Sequence, residues 1–453
     1  VVTDSRNVVE NSLFVPLVGE FQNGHIYVDQ AIEKGATVIF IDSKEYESNS
    51  NKYKELTEEC KNLSVIVVEN TLYALQAIAE TYVEQFPELI KVAITGSSGK
   101  TTTKELVVSV LKQKYNVVHT EGNFNSETGL PLSVFKIRKE HEVGVFEMGM
   151  NRQDEIGEIS KVLKPEYAII TNIGSAHVEM LGSRDNIAIE KKKAFTYVSK
   201  TGAVFIPAED EYCNFLQKDV LGKVVLFGEN VPSDVNHIEY LKDCGLDGSV
   251  FSVDGIQINL KIPGIYNYRN ALASIALAKE LDLTAEEIKA GIENLSGLNS
   301  RMEATELNLK GNIKVNLIRD CYNANFESMS SVINFCDSLS NVNKRIYVLG
   351  DMLELGSESD EIHSKIGKQI AAGHSDYVIF VGEQMEKAAK VAKENGYKNS
   401  LYITFADDDA MLFASQFIVD CAEENDVILL KGSRGIALER IIPLVAEKKK
   451  KNE

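Results

Sequence analysis

No apolar run in this chain approaches the roughly 18 residues that a membrane-spanning helix needs. Stable membrane insertion is therefore not expected. No signal-peptide pattern opens the sequence. The chain begins Val1-Val2-Thr3, without methionine and in a strand-like run, and further residues are expected to precede it. Cysteine is scarce: six residues, scattered, with no C-x-x-C pair. That argues against a disulfide scaffold and a zinc site, and it fits a reducing, cytoplasmic compartment. Positive charge is also short. Forty-eight Lys and Arg face 67 Asp and Glu, a net charge of −19. Such a surface argues against non-specific nucleic-acid binding, and a polyanionic substrate would need local cations to overcome the field. Short-period repeats and low-complexity tracts are absent from the sequence. The four lysines from Lys448 to Lys451 read as a solvated helix end rather than a membrane patch.

What is present is an ordinary globular composition, 44% hydrophobic and 25% charged, over 453 residues. That length suggests about three domains. Residues 1–86 alternate short strands (Leu13-Phe14-Val15, Thr37 to Phe40, Val65 to Val68) with helical stretches (Tyr27 to Lys34, Thr71 to Gln85), a small α/β domain ending near Pro87. Residues 87–298 carry near-continuous apolar strands with helices between them, as in a mostly parallel sheet. Within them, 223–264 alternates at period two between Gly and Asp turns and reads as a β-rich insertion. Residues 299–453 restart the pattern with apolar strands at 346–350, 377–382 and 427–432, a doubly wound, Rossmann-like domain without G-x-G-x-x-G. The fold class is α/β throughout.

The most informative segment runs Thr95-Gly96-Ser97-Ser98-Gly99-Lys100-Thr101-Thr102-Thr103. An apolar strand enters it and a helical pattern leaves it. Backbone N–H groups at such a turn converge, and the helix N-terminus adds positive partial charge. Lys100 can reach β/γ-phosphates and the Thr101 hydroxyl can meet Mg²⁺. The loop is shorter than the usual eight-residue form, whose first glycine would fall at Ile94.

Two further strands end in chemistry, and ligands of parallel sheets bind at strand carboxyl ends. Glu147 closes Val143 to Phe146 and suits a Mg²⁺ ion. Asn172 and His177 follow Tyr167 to Ile170. The histidine reads equally as a structural loop residue, since Mg²⁺ prefers oxygen. Of Lys191, Lys192 and Lys193, at least two should form a solvated face, while one could turn inward. Arg301 suits phosphate oxygens, and Asp320, after the strand Ile313 to Ile318, suits a ribose hydroxyl. Lys431, Ser433 and Arg434 end the last strand and could contact an anion. Asp320 to Asn325 is either an amide-lined recognition loop or an Asn-rich turn.

Taken together and in order, these segments resemble the Mur ligase family, ATP-dependent amide-forming enzymes of peptidoglycan precursor assembly. The resemblance covers essentially the whole chain. It rests on Thr95 to Thr103, Glu147, Asn172 to His177, Asn267 to Ala273, Arg301 and Asp320. Segments 123–131, 147–151, 322–329, 349–356 and 431–434 are similar to the members that add D-alanyl-D-alanine; the Asn-Pro-Arg signature of the members that add diaminopimelate or lysine is absent. The resemblance implies a UDP-binding first domain, a central ATPase domain and a C-terminal domain closing on ATP. It implies ATP, two Mg²⁺ ions and a carbamylated Lys191 as cofactors. The implied partners are UDP-MurNAc-tripeptide and D-Ala-D-Ala, with no nucleic acid, for a cytoplasmic monomer.

Roles follow residue by residue from the resemblance. Thr95, Gly96, Ser97, Ser98, Gly99, Lys100, Thr101 and Thr102 would surround the phosphates. Asn267 and Asn270 would sit at adenine, with Arg301 and Asp320 at phosphate and ribose. Thr101, Glu147, His177 and Lys191 would hold metal. Asp4, Ser5, Arg6, Asn123, Asn125 and Asn151 would bind the UDP-tripeptide, and Asn323 and Asn325 the dipeptide. The sequence departs from the family pattern at Tyr266, where histidine is frequent, and at Phe326, where proline is usual. Two alternatives stand beside this: an amide ligase of folylpolyglutamate type with another donor, and a non-catalytic nucleotide-dependent scaffold.

Overall fold

The computed structural model describes residues 1–19, 22–295 and 301–447. The expected boundary at 298/299 and the lysine run from Lys448 lie outside them. Three α/β layers follow one another along the chain, each built on its own sheet, and a small antiparallel sheet stands apart. The first sheet is three-stranded and parallel, Ser12–Phe14, Ala36–Asp42, Ser64–Val68. Its last helix, Thr71–Val83, starts where the Asn70 side chain accepts the N–H groups of Leu72 and Tyr73, which satisfies two otherwise orphan donors.

The central sheet has six parallel strands in the order Val117–His119, Val143–Glu147, Ile90–Thr95, Tyr167–Ile170, Ala203–Pro207, Lys223–Phe227. Helices cover both faces. Val92 and Ile94 pack into one apolar cluster and Ala93 into the other, which is why these strands are apolar at every position rather than at alternate ones. The chain order reverses on either side of Ile90–Thr95, and a crevice opens at the carboxyl ends there. Thr95, Glu147 and Ile170 are the strand ends that border it.

The third sheet runs Glu303–Leu309, Ile313–Asp320, Val427–Lys431, Arg345–Gly350, Tyr377–Val381, Ser400–Ile403. Only the first pair is antiparallel. One apolar cluster joins central residues Ile173 and Val178 to Met302, Ala324 and Met329 of the third layer. The two layers therefore share a core, and their strand ends face one crevice.

Several expectations need correction. Val2 forms a single isolated bridge to Phe14, not a strand. Lys223–Phe227 is the outer strand of the central sheet, so only Ile238–Asp243, Ser249–Val253 and Ile256–Leu260 form the separate antiparallel unit. Period-two alternation marks a half-covered strand, and an edge strand of a parallel sheet is half covered as well. Asp320 is the last residue of its strand, not a residue beyond it.

Candidate active site

A cavity of about 700 Å³ lies between the central and third layers. Ser97 to Thr102, Asn123, Asn125, Glu147, Asn151, Asn172 and His177 line it from one side. Tyr266, Asn267, Asn270, Arg301, Asp320, Asn323, Asn325, Glu354 and Lys431 also border it.

The phosphate loop needs its glycines. Gly96 has φ +151° and Gly99 φ +76°, values that L side chains rarely adopt. A Cβ on Gly96 would overlap Thr171 Oγ1, and one on Gly99 would come within 2.5 Å of Asn270 Oδ1. The loop is clamped to its neighbour. Ser97 N–H donates to Asn172 O at 3.0 Å, Ser98 N–H to Asn172 Oδ1 at 3.1 Å, and Thr171 Oγ1 to Ser98 O at 2.6 Å. Helix Lys100–Leu111 begins at Gly99, so its N-terminus faces the cavity.

Two lysines meet beneath this loop. Lys100 Nζ donates to Gly96 O at 2.8 Å, and Lys191 Nζ donates to the same oxygen at 3.0 Å. Burial lowers the pKa of both. For Lys191 the shift is large, and the Lys100 charge adds to it while Glu190 opposes it. Lys191 is 1% exposed, so it is the inward member of its triplet. Lys192 and Lys193 are not a free solvated face. Lys192 Nζ donates to Phe215 O and Lys218 O, and Lys193 pairs with Asp154 and with buried Glu190.

Glu147 is 1% exposed and doubly engaged. Thr101 Oγ1 donates to its Oε2 at 2.8 Å and Asn125 Nδ2 to its Oε1 at 2.6 Å. A hydroxyl and a carboxylate side by side at a helix N-terminus fit Mg²⁺, which is held by one or two carboxylates together with phosphate oxygens. Lys191 as an ammonium is not a metal ligand, and would fit only after conversion to an anionic carbamate. His177 has φ +66°, and its Nδ1 lies 2.8 Å from Glu354 Oε2. Burial lowers the His177 pKa; the Glu354 bond opposes that shift, while the Lys191 and Lys100 charges reinforce it.

Asn267 and Asn270 stand one turn apart on helix Ile265–Glu280, with Asn270 Nδ2 donating to Asn267 Oδ1 at 3.2 Å. Tyr266 precedes them, and its buried hydroxyl has no hydrogen-bond partner among the described residues. Arg301 stacks on the Tyr322 ring at 4.0 Å. Asp320 is paired with buried Lys431 at 2.8 Å and accepts the Met302 N–H. Asn323 Oδ1 accepts the Ala324 N–H, and Asn325 caps helix Phe326–Ser338 through Ser328 N–H at 2.9 Å. Both amide oxygens are thus engaged locally, so the turn is a structural device as well as a wall of the cavity.

Some expected residues lie elsewhere. Asp4 and Arg6 pair with each other on the first layer, and Ser5 Oγ donates to Gln30. Thr95 is buried below the loop, its hydroxyl without a hydrogen-bond partner among the described residues. Four acids carried no expected role. Glu155 accepts the N–H groups of Glu127 and Asn151, and Glu190 those of Asp154 and Ile156. Glu327 accepts from Ser175 N–H and Oγ, and Glu354 meets His177. Apart from Asn151, four positions before Glu155, their partners are 28 to 177 positions away, beyond any spacing pattern, although Glu354 does follow the strand Arg345–Gly350 as Glu147 ends its own.

A phosphate loop, a strand-end carboxylate and an opposing wall that carries Arg301 and Lys431 define a nucleotide-dependent enzyme of the phosphate-loop class. Comparison with known proteins resolves the class further. The Mur ligase family catalytic domain matches residues 1–83, the Mur ligase middle domain 94–278, and the Mur ligase glutamate ligase domain 300–434. The chain belongs to the Mur ligase family. It is 40% identical to a UDP-N-acetylmuramoyl-tripeptide–D-alanyl-D-alanine ligase of Treponema pallidum, over 98% of this chain and 93% of that protein. A crystal structure of MurF from Acinetobacter baumannii superposes with TM-score 0.82 at 28% identity, covering 98% and 92% of the two chains. MurF ligase from Thermotoga maritima in complex with ADP superposes at 0.79 with 25% identity, covering 98% and 96%.

Proposed function

We propose that this chain joins D-alanyl-D-alanine to UDP-N-acetylmuramoyl-tripeptide with consumption of ATP, in peptidoglycan precursor synthesis. The observation that carries the reading is the single cavity in which the phosphate loop faces the Arg301, Asp320 and Asn323–Asn325 wall. Similarity to relatives of that name along nearly the whole chain supports the choice of substrates. The cytoplasmic location belongs to the same reading, supported by six free cysteines.

Condensing a carboxylate with an amine in water is uphill, so ATP must activate the carboxylate. The terminal carboxylate of the tripeptide attacks the γ-phosphorus, ADP leaves, and an acyl phosphate results. The dipeptide amine then attacks the acyl carbon, and phosphate departs from the tetrahedral intermediate. Attacker and triphosphate are both anionic, so positioning and charge compensation carry the first step. Lys100 and the loop N–H groups hold the β/γ-phosphates. Asn267 and Asn270 take the adenine, Arg301 the phosphates, and Asp320 the ribose. Thr101 and Glu147 would hold one Mg²⁺, and His177 and a carbamylated Lys191 a second; bound there, such ions would screen charge on the phosphates. Lowered basicity of Lys191 supplies the neutral amine that CO₂ needs. Asn123, Asn125 and Asn151 face the muramyl-peptide, Asp4, Ser5 and Arg6 the uridine end, and Asn323 and Asn325 the dipeptide.

The test is product identity. Purified protein, ATP, Mg²⁺ and UDP-MurNAc-tripeptide are incubated with D-Ala-D-Ala, with single amino acids, or with glutamate. Mass spectrometry is expected to find the pentapeptide nucleotide with the dipeptide alone. A product with glutamate and none with the dipeptide would replace the reading by a folylpolyglutamate-type activity.

A further inference from the structure

His177 and Glu354 come from different layers, and both hold backbone conformations that are costly without a compensating contact. His177 follows the central strand Tyr167–Ile170, Glu354 follows the third-layer strand Arg345–Gly350, and their φ values are +66° and +63°. Non-glycine residues persist in the left-handed region where surrounding structure over-determines them, often at functional sites. The Glu354 loop is over-determined in this way. Met352 N–H donates to His363 Nε2 at 3.2 Å, and Leu353 N–H to Ser433 Oγ at 3.0 Å, immediately before Glu354. Nearby, Glu327 accepts twice from Ser175, two residues before His177. The two loops are thus delivered to one another by fixed backbones.

The contact they make has a defined polarity. Glu354 Oε2 lies 2.8 Å from His177 Nδ1. A carboxylate only accepts, so Nδ1 carries the hydrogen. In the neutral ring the lone pair then sits on Nε2, and no hydrogen bond to Nε2 occurs among the described residues. A metal-binding histidine usually donates its other ring N–H to a carboxylate or carbonyl, which fixes the tautomer and raises ligand basicity.

We infer that Glu354 is the positioning carboxylate that holds His177 in its Nδ1–H tautomer, so that the third layer completes a cation site otherwise built on the central one. The inference rests on the reading of His177 as a cation ligand. Its consequence is coupling: a cation on Nε2 favours engagement of the third layer, and engagement tightens the cation by the same factor. Glu354 itself touches neither substrate nor cation.

The test uses the whole chain labelled with ¹⁵N-histidine, seven residues in all. Long-range ¹H–¹⁵N correlation reports the tautomer of each ring, and His177→Gln identifies the signal of interest. The wild-type ring is expected as Nδ1–H. Glu354→Ala is expected to move it toward the Nε2–H form. In parallel, Mn²⁺ binding is followed by electron paramagnetic resonance with a non-hydrolysable ATP analogue. Glu354→Ala is expected to weaken it about 10-fold or more, the usual scale for losing such a partner. Glu354→Gln keeps an accepting oxygen in the same place, and is expected to retain the tautomer and most of the affinity. An unchanged tautomer, or unchanged Mn²⁺ affinity, in Glu354→Ala overturns the inference. Neither readout requires turnover, so formation of the pentapeptide nucleotide judges the functional reading separately.

Discussion

The two walls of the cavity are built in opposite ways. On the central wall, the groups around the phosphate loop stand at strand ends or on the loop and helix start that follow, and adjacent strands bring neighbours together: Thr101 to Glu147 at 2.8 Å, Ser98 to Asn172 at 3.1 Å. On the third-layer wall, groups are fixed by contacts between distant segments. Lys431 pairs with Asp320 at 2.8 Å, Glu327 with Ser175, and Glu354 with His177. The first wall is a strand–loop–helix motif that exists once its sheet exists. The second is in part an assembly that exists only when two sheets are packed together, through Glu327 with Ser175 and Glu354 with His177, whereas Lys431 and Asp320 are register partners on adjacent strands of one sheet. Chemistry that depends on the first should fail outright on substitution, whereas the second should fail in graded and separable ways.

The largest expected effect is on the central wall. Lys100→Ala removes the cation proposed to meet the phosphates and should lower the rate of phosphate release by roughly 10²-fold or more. Near-normal turnover in a folded variant would remove the phosphate-loop assignment. Under the proposed carbamylation, Lys191→Ala should lose most activity and regain part of it with added formate or acetate, a carboxylate taking the place of the proposed carbamate. Lys192→Ala, which removes contacts to Phe215 O, Lys218 O and the Phe215 ring away from the cavity, should stay near wild type. Full activity of Lys191→Ala would reduce that lysine to a buried strut.

The third-layer wall should show smaller and divisible effects. Asn325 caps its helix through Oδ1 and lines the cavity, where its amide N–H groups are proposed to meet the dipeptide. Asn325→Ala should therefore cost about 1 kcal/mol of stability and raise the KM for D-Ala-D-Ala more than that for ATP. Asn325→Asp keeps the cap and lacks the donors, so it should preserve stability while still raising the dipeptide KM. Equal effects on both substrates would show that the turn is structural only.

The smallest effect expected is on pH dependence of stability. His363 is buried, its Nδ1 donates to Ser359 O at 2.8 Å, and its Nε2 accepts the Met352 N–H. Burial lowers its pKa from the ordinary 6.5. The unfolded chain then binds the proton more readily than the folded one, so stability is intact above about 6.5 and falls as pH drops through that value. Thermal melts of wild type should decline with acidification, and those of His363→Gln should decline less. Parallel pH curves would detach His363 from this loop.

The same contrast explains what was legible in the sequence. Apolar runs at Ile90–Thr95, Val143–Glu147 and Tyr167–Ile170 announced parallel strands, and Thr95 to Thr103 announced a phosphate loop, because both are local patterns. Glu327 and Glu354 lie in segments that carry the family resemblance, but no local pattern gave them a role, since their partners lie 152 and 177 positions away. Lys191 could be picked from its triplet only through the family resemblance, for helical phase depends on a core that the triplet itself does not define. The strand Lys223–Phe227 was assigned to the wrong sheet because alternation reports half-coverage, not which sheet provides it.

The central claim is that one cavity, shared by two sheets, couples ATP cleavage to amide formation. Phosphate release with ATP and Mg²⁺ tests it most directly, with UDP-MurNAc-tripeptide and D-Ala-D-Ala added singly and together. The account predicts sustained release only when both are present, because an acyl phosphate without an acceptor amine holds the phosphoryl group in place. Sustained release with ATP alone, or with either substrate alone at the rate seen with both, would contradict it.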